Sequence, residues 1–293
     1  MPSKSDHKPA DAASSSQLIP AKTTVVVPSH KGGIGKSTMT RGSIELLRFH
    51  LTSPAAYQVI GVDGDADNGQ LLSFLGNRDG DGFASPEQDA MTGILYLDGR
   101  SSRERGMLLD LAERDAQLIA IDLPGGSLTD LANLNENLGS RDLVDAHRQA
   151  GRRFVVMLPI TPLLASISSV LVAIEQFGPD ADYVVVKNMA AGKDEDFVLW
   201  DPGIIDKNGK PIGGKARQRL MEVNGRILEM PVLSPGIYAR IDALGLTFTE
   251  ALKSPLLATS ERLSCRRWLH AWSGQLNRIS DLLALPHGYS WSI

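Results

Sequence analysis

The chain has 293 residues, 42% of them hydrophobic and 22% charged, with a formal net charge of −4; that balance fits one large globular domain or two small ones and excludes a polycation that coats nucleic acid. Its single cysteine, Cys265, excludes an intramolecular disulfide and a cysteine-ligated cluster or zinc site within one chain. No apolar run reaches the roughly 18 residues of a membrane span, and the first residues lack the apolar stretch of a signal peptide, so a cytoplasmic location is expected.

Residues 1–22 are rich in Ser, Ala, Lys, Asp and Pro and read as a disordered leader. A single domain is expected over 23–286, closed by a helix, with a tail over 287–293. Thr23 to Pro28 is a β-branched run of the kind buried in parallel sheets. A glycine-rich turn follows it. Ser37 to His50 then carries Met39, Ile44, Leu46 and Leu47 at helical spacing. Tyr57 to Val62 reads as a second strand, running into Asp63-Gly64-Asp65, and residues 77–88 as a loop. Ser101 to Ala116 reads as a charged helix that turns Met107, Leu108, Leu111 and Ala112 inward. Further strands are expected at Gln117 to Ile121, Phe154 to Ile160, Tyr183 to Val186 and Arg226 to Met230, with a helix from Ala165 to Phe177. A last helix is expected from Glu261 to Leu285, stopped by Pro286. Strands alternating with helices predict an α/β fold with a mostly parallel twisted sheet flanked by helices. Ligands bind such sheets at the carboxyl ends of the strands, and each motif below falls at such an end.

His30-Lys31-Gly32-Gly33-Ile34-Gly35-Lys36-Ser37-Thr38 lies between the first strand and its helix. Glycines let backbone N–H groups turn inward around phosphate oxygens, and the following helix points its positive end at the same anion. Lys36 would neutralise the β- and γ-phosphates of a nucleotide, and the Ser37 hydroxyl would ligate Mg²⁺. This is the P-loop pattern G-x-x-x-x-G-K-[ST], with His30 in place of its first glycine. The bland reading is a glycine-rich turn with incidental lysines. Closely spaced carboxylates after a strand, as at Asp63 and Asp65, suit metal-bound water and phosphoryl transfer, though an acidic turn looks the same. Gly125, after Asp122-Leu123-Pro124, permits close backbone approach to a phosphate. Asn188 has an amide that both donates and accepts, as an adenine edge requires, and the alternative is a turn cap.

Lys31-Gly32-Gly33-Ile34-Gly35-Lys36-Ser37, with its early lysine, resembles the deviant Walker A motif of the ParA/MinD family of partition and positioning ATPases. The resemblance implies a P-loop domain binding ATP and Mg²⁺ and hydrolysing ATP. It places Lys31 across an ATP-dependent homodimer, on the nucleotide held by the other subunit. Asp63-Gly64-Asp65-Ala66-Asp67-Asn68 resembles the family's switch I, which implies that Asp65 orients the attacking water and Asp63 supports the metal shell. Asp122-Leu123-Pro124-Gly125-Gly126 resembles Walker B and switch II, which implies that Asp122 holds Mg²⁺. By the same match Gly32, Gly33, Ile34, Gly35, Ser37 and Thr38 line the nucleotide, Asn188 reads the adenine and Pro231 abuts the base. The resemblance spans roughly residues 23 to 255 and is loose after 190.

The family's tasks differ. The resemblance implies an ATPase that positions or partitions DNA or other cargo with a partner or adaptor protein, in plasmid stability or conjugal transfer; the alternative is an ATP-dependent metabolic ligase on the same P-loop. Lys207, Lys210, Lys215, Arg217 and Arg219 stand within thirteen residues without an acid. They read either as a non-specific DNA patch, which would make the protein nucleoid-associated, or as a solvated loop. Trp268, Leu269, Trp272, Leu276, Ile279, Leu282 and Leu283 form a stripe that is read as packing on the sheet rather than lying on a membrane.

Overall fold

The computed structural model describes residues 22–65, 69–134 and 137–293. The leader expected over 1–22 lies outside the described residues apart from Lys22, which opens the first strand. Ala66, Asp67 and Asn68 of the switch I segment also lie outside them.

The strands are β1 (Lys22–Ser29), β2 (Leu51–Thr52), β3 (Val59–Asp63), β4 (Ile94–Tyr96), β5 (Leu118–Gly125), β6 (Arg152–Ile160), β7 (Asp182–Asn188), β8 (Ile204–Ile205), β9 (Pro211–Ile212), β10 (Arg226–Met230) and β11 (Ser290–Trp291). Seven of them form one sheet in the order β10-β7-β6-β1-β5-β3-β4, and every pairing in it is parallel. β1 has a buried run on both faces because its β-branched residues alternate between two cores. Val25 and Val27 join Trp268, Trp272 and Leu276 on one side. Val26 joins Phe154, Val156 and Phe177 on the other.

The helices are α1 (Lys36–Glu45), α2 (Gln70–Leu75), α3 (Ser102–Arg105), α4 (Met107–Asp110), α5 (Ser127–Ala132), α6 (Ser140–Gln149), α7 (Leu164–Phe177), α8 (Lys215–Glu222), α9 (Pro235–Ala243), α10 (Phe248–Ala251) and α11 (Thr259–Asn277). Three expectations are corrected. The helix over 101–116 is broken at Gly106 into α3, α4 and a 3-10 turn over Leu111–Glu113; Met107 is 48% exposed, while Leu108, Leu111 and Ala112 are buried. α11 stops at Asn277, and Ile279, Leu282 and Leu283 are buried from the turns that follow it. The segment 287–293 is no loose tail, because β11 pairs antiparallel with β2. The apolar stripe of α11 is buried, as read, and no helix among the described residues is long and apolar enough to cross a membrane. The glycine-rich insertion over 201–214 forms a β8–β9 hairpin.

At the amino end of the sheet a buried polar chain replaces apolar packing. Arg152 Nε donates to Thr24 Oγ1 at 2.9 Å, and Thr24 Oγ1 stands 2.9 Å from His147 Nδ1. His147 Nε2 lies 3.0 Å from the Leu108 carbonyl. A carbonyl only accepts, so Nε2 carries the proton and Nδ1 accepts from Thr24. Burial is the main cause that drives the His147 ring down to about 4.

Candidate nucleotide and metal site

The sheet register gathers the motifs at one end. Asp63 of β3 stands beside Asp122 of β5, Ser29 of β1 beside Gly125, and Asn188 of β7 beside Met230 of β10. Residues from five strands thus meet around one loop because each stands at or near the carboxyl end of its strand.

The loop from His30 to Gly35 leads into α1 through Gly35, which caps the helix at φ 93. No side chain caps α1 and its first turn has no acidic residue, so its leading N–H groups face an anion without competition. A Cβ on Gly32 or Gly33 would meet nothing within 4 Å, so the cradle is open on that side. Lys36 is only 7% exposed. His30 and Lys31 are exposed at the outer lip.

The underside of the loop is tight. A Cβ on Gly35 would lie 2.6 Å from Asn188 Nδ2 and 3.0 Å from Met230 Cε. Asn188 Nδ2 donates to the Ile34 carbonyl at 3.0 Å, and its Oδ1 accepts from Ala190 N at 3.0 Å. Asn188 is buried and its amide is bonded to the P-loop and to its own turn. In this geometry the side chain braces the loop. Gly125 is needed for close approach, since a Cβ there would come within 2.7 Å of Gly32 N. Gly126 N donates to the Ser29 carbonyl at 3.0 Å and Ser29 N to Ser127 Oγ at 3.1 Å, which fastens the switch II turn to the start of the P-loop. Pro231 lines an open cleft of about 460 Å³ with Val232, Leu233, Arg267 and Trp268.

The carboxylates divide by task. Asp122 is buried, and its carboxyl lies in the field of Lys36 and near enough to the Ser37 hydroxyl to feel it. Its Oδ1 has no hydrogen-bond partner. Burial pushes this carboxyl up to about 7, against the pull of Lys36 and Ser37 and with help from Asp63 and Asp65. A buried acceptor left open beside a hydroxyl and a lysine fits a cation brought in with phosphates. Among the described residues no group of three or more His, Cys, Asp or Glu side chains could hold a metal unaided. Asp63 was expected in the metal shell as well. Its Oδ1 accepts from Asp65 N at 3.1 Å, and its Oδ2 from Leu71 N at 2.8 Å and Leu72 N at 3.0 Å. Asp63 therefore fastens the turn after β3 to the start of α2, while burial raises its pKa against those bonds.

Asp65 forms an ion pair with Arg100, with Nη1 to Oδ1 at 2.8 Å. Arg100 follows Gly99, whose N–H donates to the Gly64 carbonyl at 2.8 Å. Arg105 donates to the Arg100 carbonyl at 2.6 Å and to the Asn133 carbonyl at 3.0 Å. Arg100, Arg105 and Ser127 were not legible in the sequence, because no motif spacing joins them to the P-loop. In the basic segment, Arg217 pairs with Asp201 at 3.2 Å and Arg219 with Glu222 at 2.9 Å. Lys207, Lys210 and Lys215 have no ion-pair partner among the described residues.

No family model matches the chain, and no curated protein matches it. Among solved structures, the chain is similar to apo McdA from Cyanthece, with 15% identity and a TM-score of 0.45, over 87% of this chain and 99% of that one. It is also similar to the MinD cell division protein of Aquifex aeolicus, with 14% identity and a TM-score of 0.40, over 85% of this chain and 97% of that one.

Proposed function

We propose that the chain is a Mg²⁺-dependent ATPase of the ParA/MinD type that dimerises on ATP and positions or partitions DNA or other cargo. The observation that carries this reading is the buried pair of Lys36 and Asp122 at the mouth of an uncapped helix, with one Asp122 oxygen unpartnered. In this reading the first turn of α1 and the glycine-rich backbone hold the phosphates, and Lys36 neutralises the β- and γ-oxygens. Ser37 and Asp122 would hold Mg²⁺, which supplies charge neutralisation for phosphoryl transfer when bound. Asp65 orients the attacking water. Lys31, exposed at the outer lip, has no phosphate of its own subunit left to serve once Lys36 is in place, and meets the nucleotide of a second copy. The cargo reading includes plasmid stability or conjugal transfer, a nucleoid-associated location and a partner or adaptor protein.

The test is light scattering on Asp65→Ala, which slows hydrolysis. ATP should convert this variant from monomer to dimer, and ADP should not. Adding Lys31→Ala should abolish the shift while leaving ADP bound. A chain that binds ATP yet stays monomeric would favour the metabolic-ligase alternative.

A further inference from the structure

Helix α9 brings a phenol to the P-loop. The Thr38 hydroxyl donates to the Tyr238 hydroxyl oxygen at 3.1 Å, across 200 positions of sequence. Thr38 stands in the first turn of α1, one residue after Ser37. One helical step turns a side chain by about 100°, so Thr38 points away from the metal side occupied by Ser37. If Lys36 and Ser37 serve the terminal phosphates and the metal, as in the reading above, the Thr38 side of the turn is left for the phosphate nearest the sugar.

The phenol is held there by packing. The Tyr238 ring lies 6.3 Å from Phe248 between centroids. Phe248 packs on Trp268 at 4.7 Å and under the Arg41 guanidinium, 4.1 Å from its centroid. Arg41 belongs to α1 itself, and its other face covers Phe74 of α2 at 3.8 Å. The ring therefore has a fixed back wall built from α1, α10 and α11, and only its hydroxyl reaches the loop. That oxygen accepts from Thr38, so its own hydrogen is available to donate, and among the described residues no acceptor is bonded to it. A half-buried phenolic O–H at the edge of an anion cradle suits an anionic oxygen, because donors to charged acceptors bond more strongly than donors to neutral ones.

We infer that Tyr238 is a nucleotide-contacting residue, whose hydroxyl, set by Thr38, donates to the α-phosphate of a bound nucleoside diphosphate or triphosphate. This rests on the P-loop reading above. The role is separate from those of Lys36, Ser37 and Asp122, and it makes α9 part of the site's wall.

The experiment is calorimetric titration of the full chain with ADP and Mg²⁺, and with adenosine 5′-O-(1-thiodiphosphate), whose α-phosphate carries a sulfur. Tyr238→Phe keeps the ring and its packing, so its melting temperature should match the wild type. Its ADP affinity should fall about fivefold, the value of one such hydrogen bond. Thr38→Val should act similarly, and the double variant should lose little beyond the weaker single, as coupled partners do. Wild type should discriminate against the thio diastereomer that turns sulfur toward the phenol, and Tyr238→Phe should lose that discrimination; a merely structural role would leave it intact. Wild-type ADP affinity in Tyr238→Phe, retained discrimination, or strictly additive losses would overturn the inference. Lys36→Ala separates the two readings. If it loses ADP while Tyr238→Phe does not, only the Tyr238 inference fails; if it binds ADP as wild type does, the P-loop reading fails and takes this inference with it.

Discussion

Arg100 Nη1 stands 2.8 Å from Asp65 Oδ1, so the carboxylate expected to orient the attacking water is already held by a cation from the turn after β4. Both partners are partly exposed, with side chains 43% and 25% accessible, and a pair of that kind is worth only about 0.2–1 kcal/mol. It can be given up at little cost. The ion pair holds Asp65 to the turn after β4, so Arg100→Ala should free the carboxylate and raise basal ATP turnover by up to about fivefold. ADP affinity should stay within twofold of wild type, on the order of the scatter between independent sites. Asp65→Ala should bind ATP and lose turnover. A phosphate-release assay decides; lower turnover in Arg100→Ala would mean that the pair positions Asp65 for the reaction rather than restraining it.

Gly35→Ala should damage the loop from below. At φ 93 a side chain is strained, and the new Cβ would press on Asn188 Nδ2, which braces the Ile34 carbonyl. The cost should be about 1–3 kcal/mol in chemical denaturation, together with loss of ADP binding. Asn188→Ala alone should weaken ADP binding by loosening the loop. The weakening should be the same for GDP, since a brace on the backbone does not read the base; selective loss of ADP would mark Asn188 as the base reader.

The His147 chain sets a pH dependence of stability. Its ordinary value is 6.5 and its folded value about 4. Between those values the unfolded chain takes up a proton on this ring that the folded chain refuses, so the His147 contribution to stability falls as pH drops from 6.5 toward 4 and levels off below. The loss should approach roughly 3 kcal/mol. Asp122, raised to about 7, acts in the opposite sense over this window, so the His147 part is read as a difference: between pH 7 and pH 4.5 in urea denaturation, wild type should lose more stability, or gain less, than His147→Gln, which keeps a donor and an acceptor but does not titrate. Equal slopes would place the acid sensitivity elsewhere.

The basic segment gives a directed test of DNA binding. Arg217 and Arg219 are already paired, so Lys207, Lys210 and Lys215 should carry any phosphate contact. Reversing these three to Glu should abolish ATP-dependent gel retardation of non-specific DNA, and wild-type retardation should weaken steeply with salt. If wild type retards no DNA at low salt, the hairpin and α8 form a solvated surface.

Much of the fold could be read from residue patterns that report burial directly. The run Thr23 to Val27 and the apolar blocks before Asp63, Asp122 and Asn188 are strands enclosed on both faces, and such strands carry no polar alternation to confuse the reading. β4 was missed because Ile94–Tyr96 is short and lies at the sheet edge, with Tyr96 exposed. The break at Gly106 was missed because the helical spacing of apolar residues continues across it. In the site, the gathering of Lys36, Ser37 and Asp122 at one end of the sheet could be read, because each stands at or just beyond the carboxyl half of a strand. The hydrogen-bond partners of Asp63 and Asn188 could not, since a carboxylate or amide at a strand end can ligate or brace, and its partners come from other segments of the chain. Arg100 and Tyr238 reach the site from segments with no motif of their own.

β1 is the middle strand of the sheet, and its two neighbours, β5 and β6, come from about a hundred residues further along the chain, a separation that slows folding through loop closure. During synthesis the P-loop strand therefore emerges long before anything can pair with it. The nucleotide cradle forms only after Gly125 and the β6 run have left the ribosome. Until then an apolar strand with unpaired edges is exposed, which makes this interval the one in which the nascent chain most needs a chaperone and is most prone to aggregate.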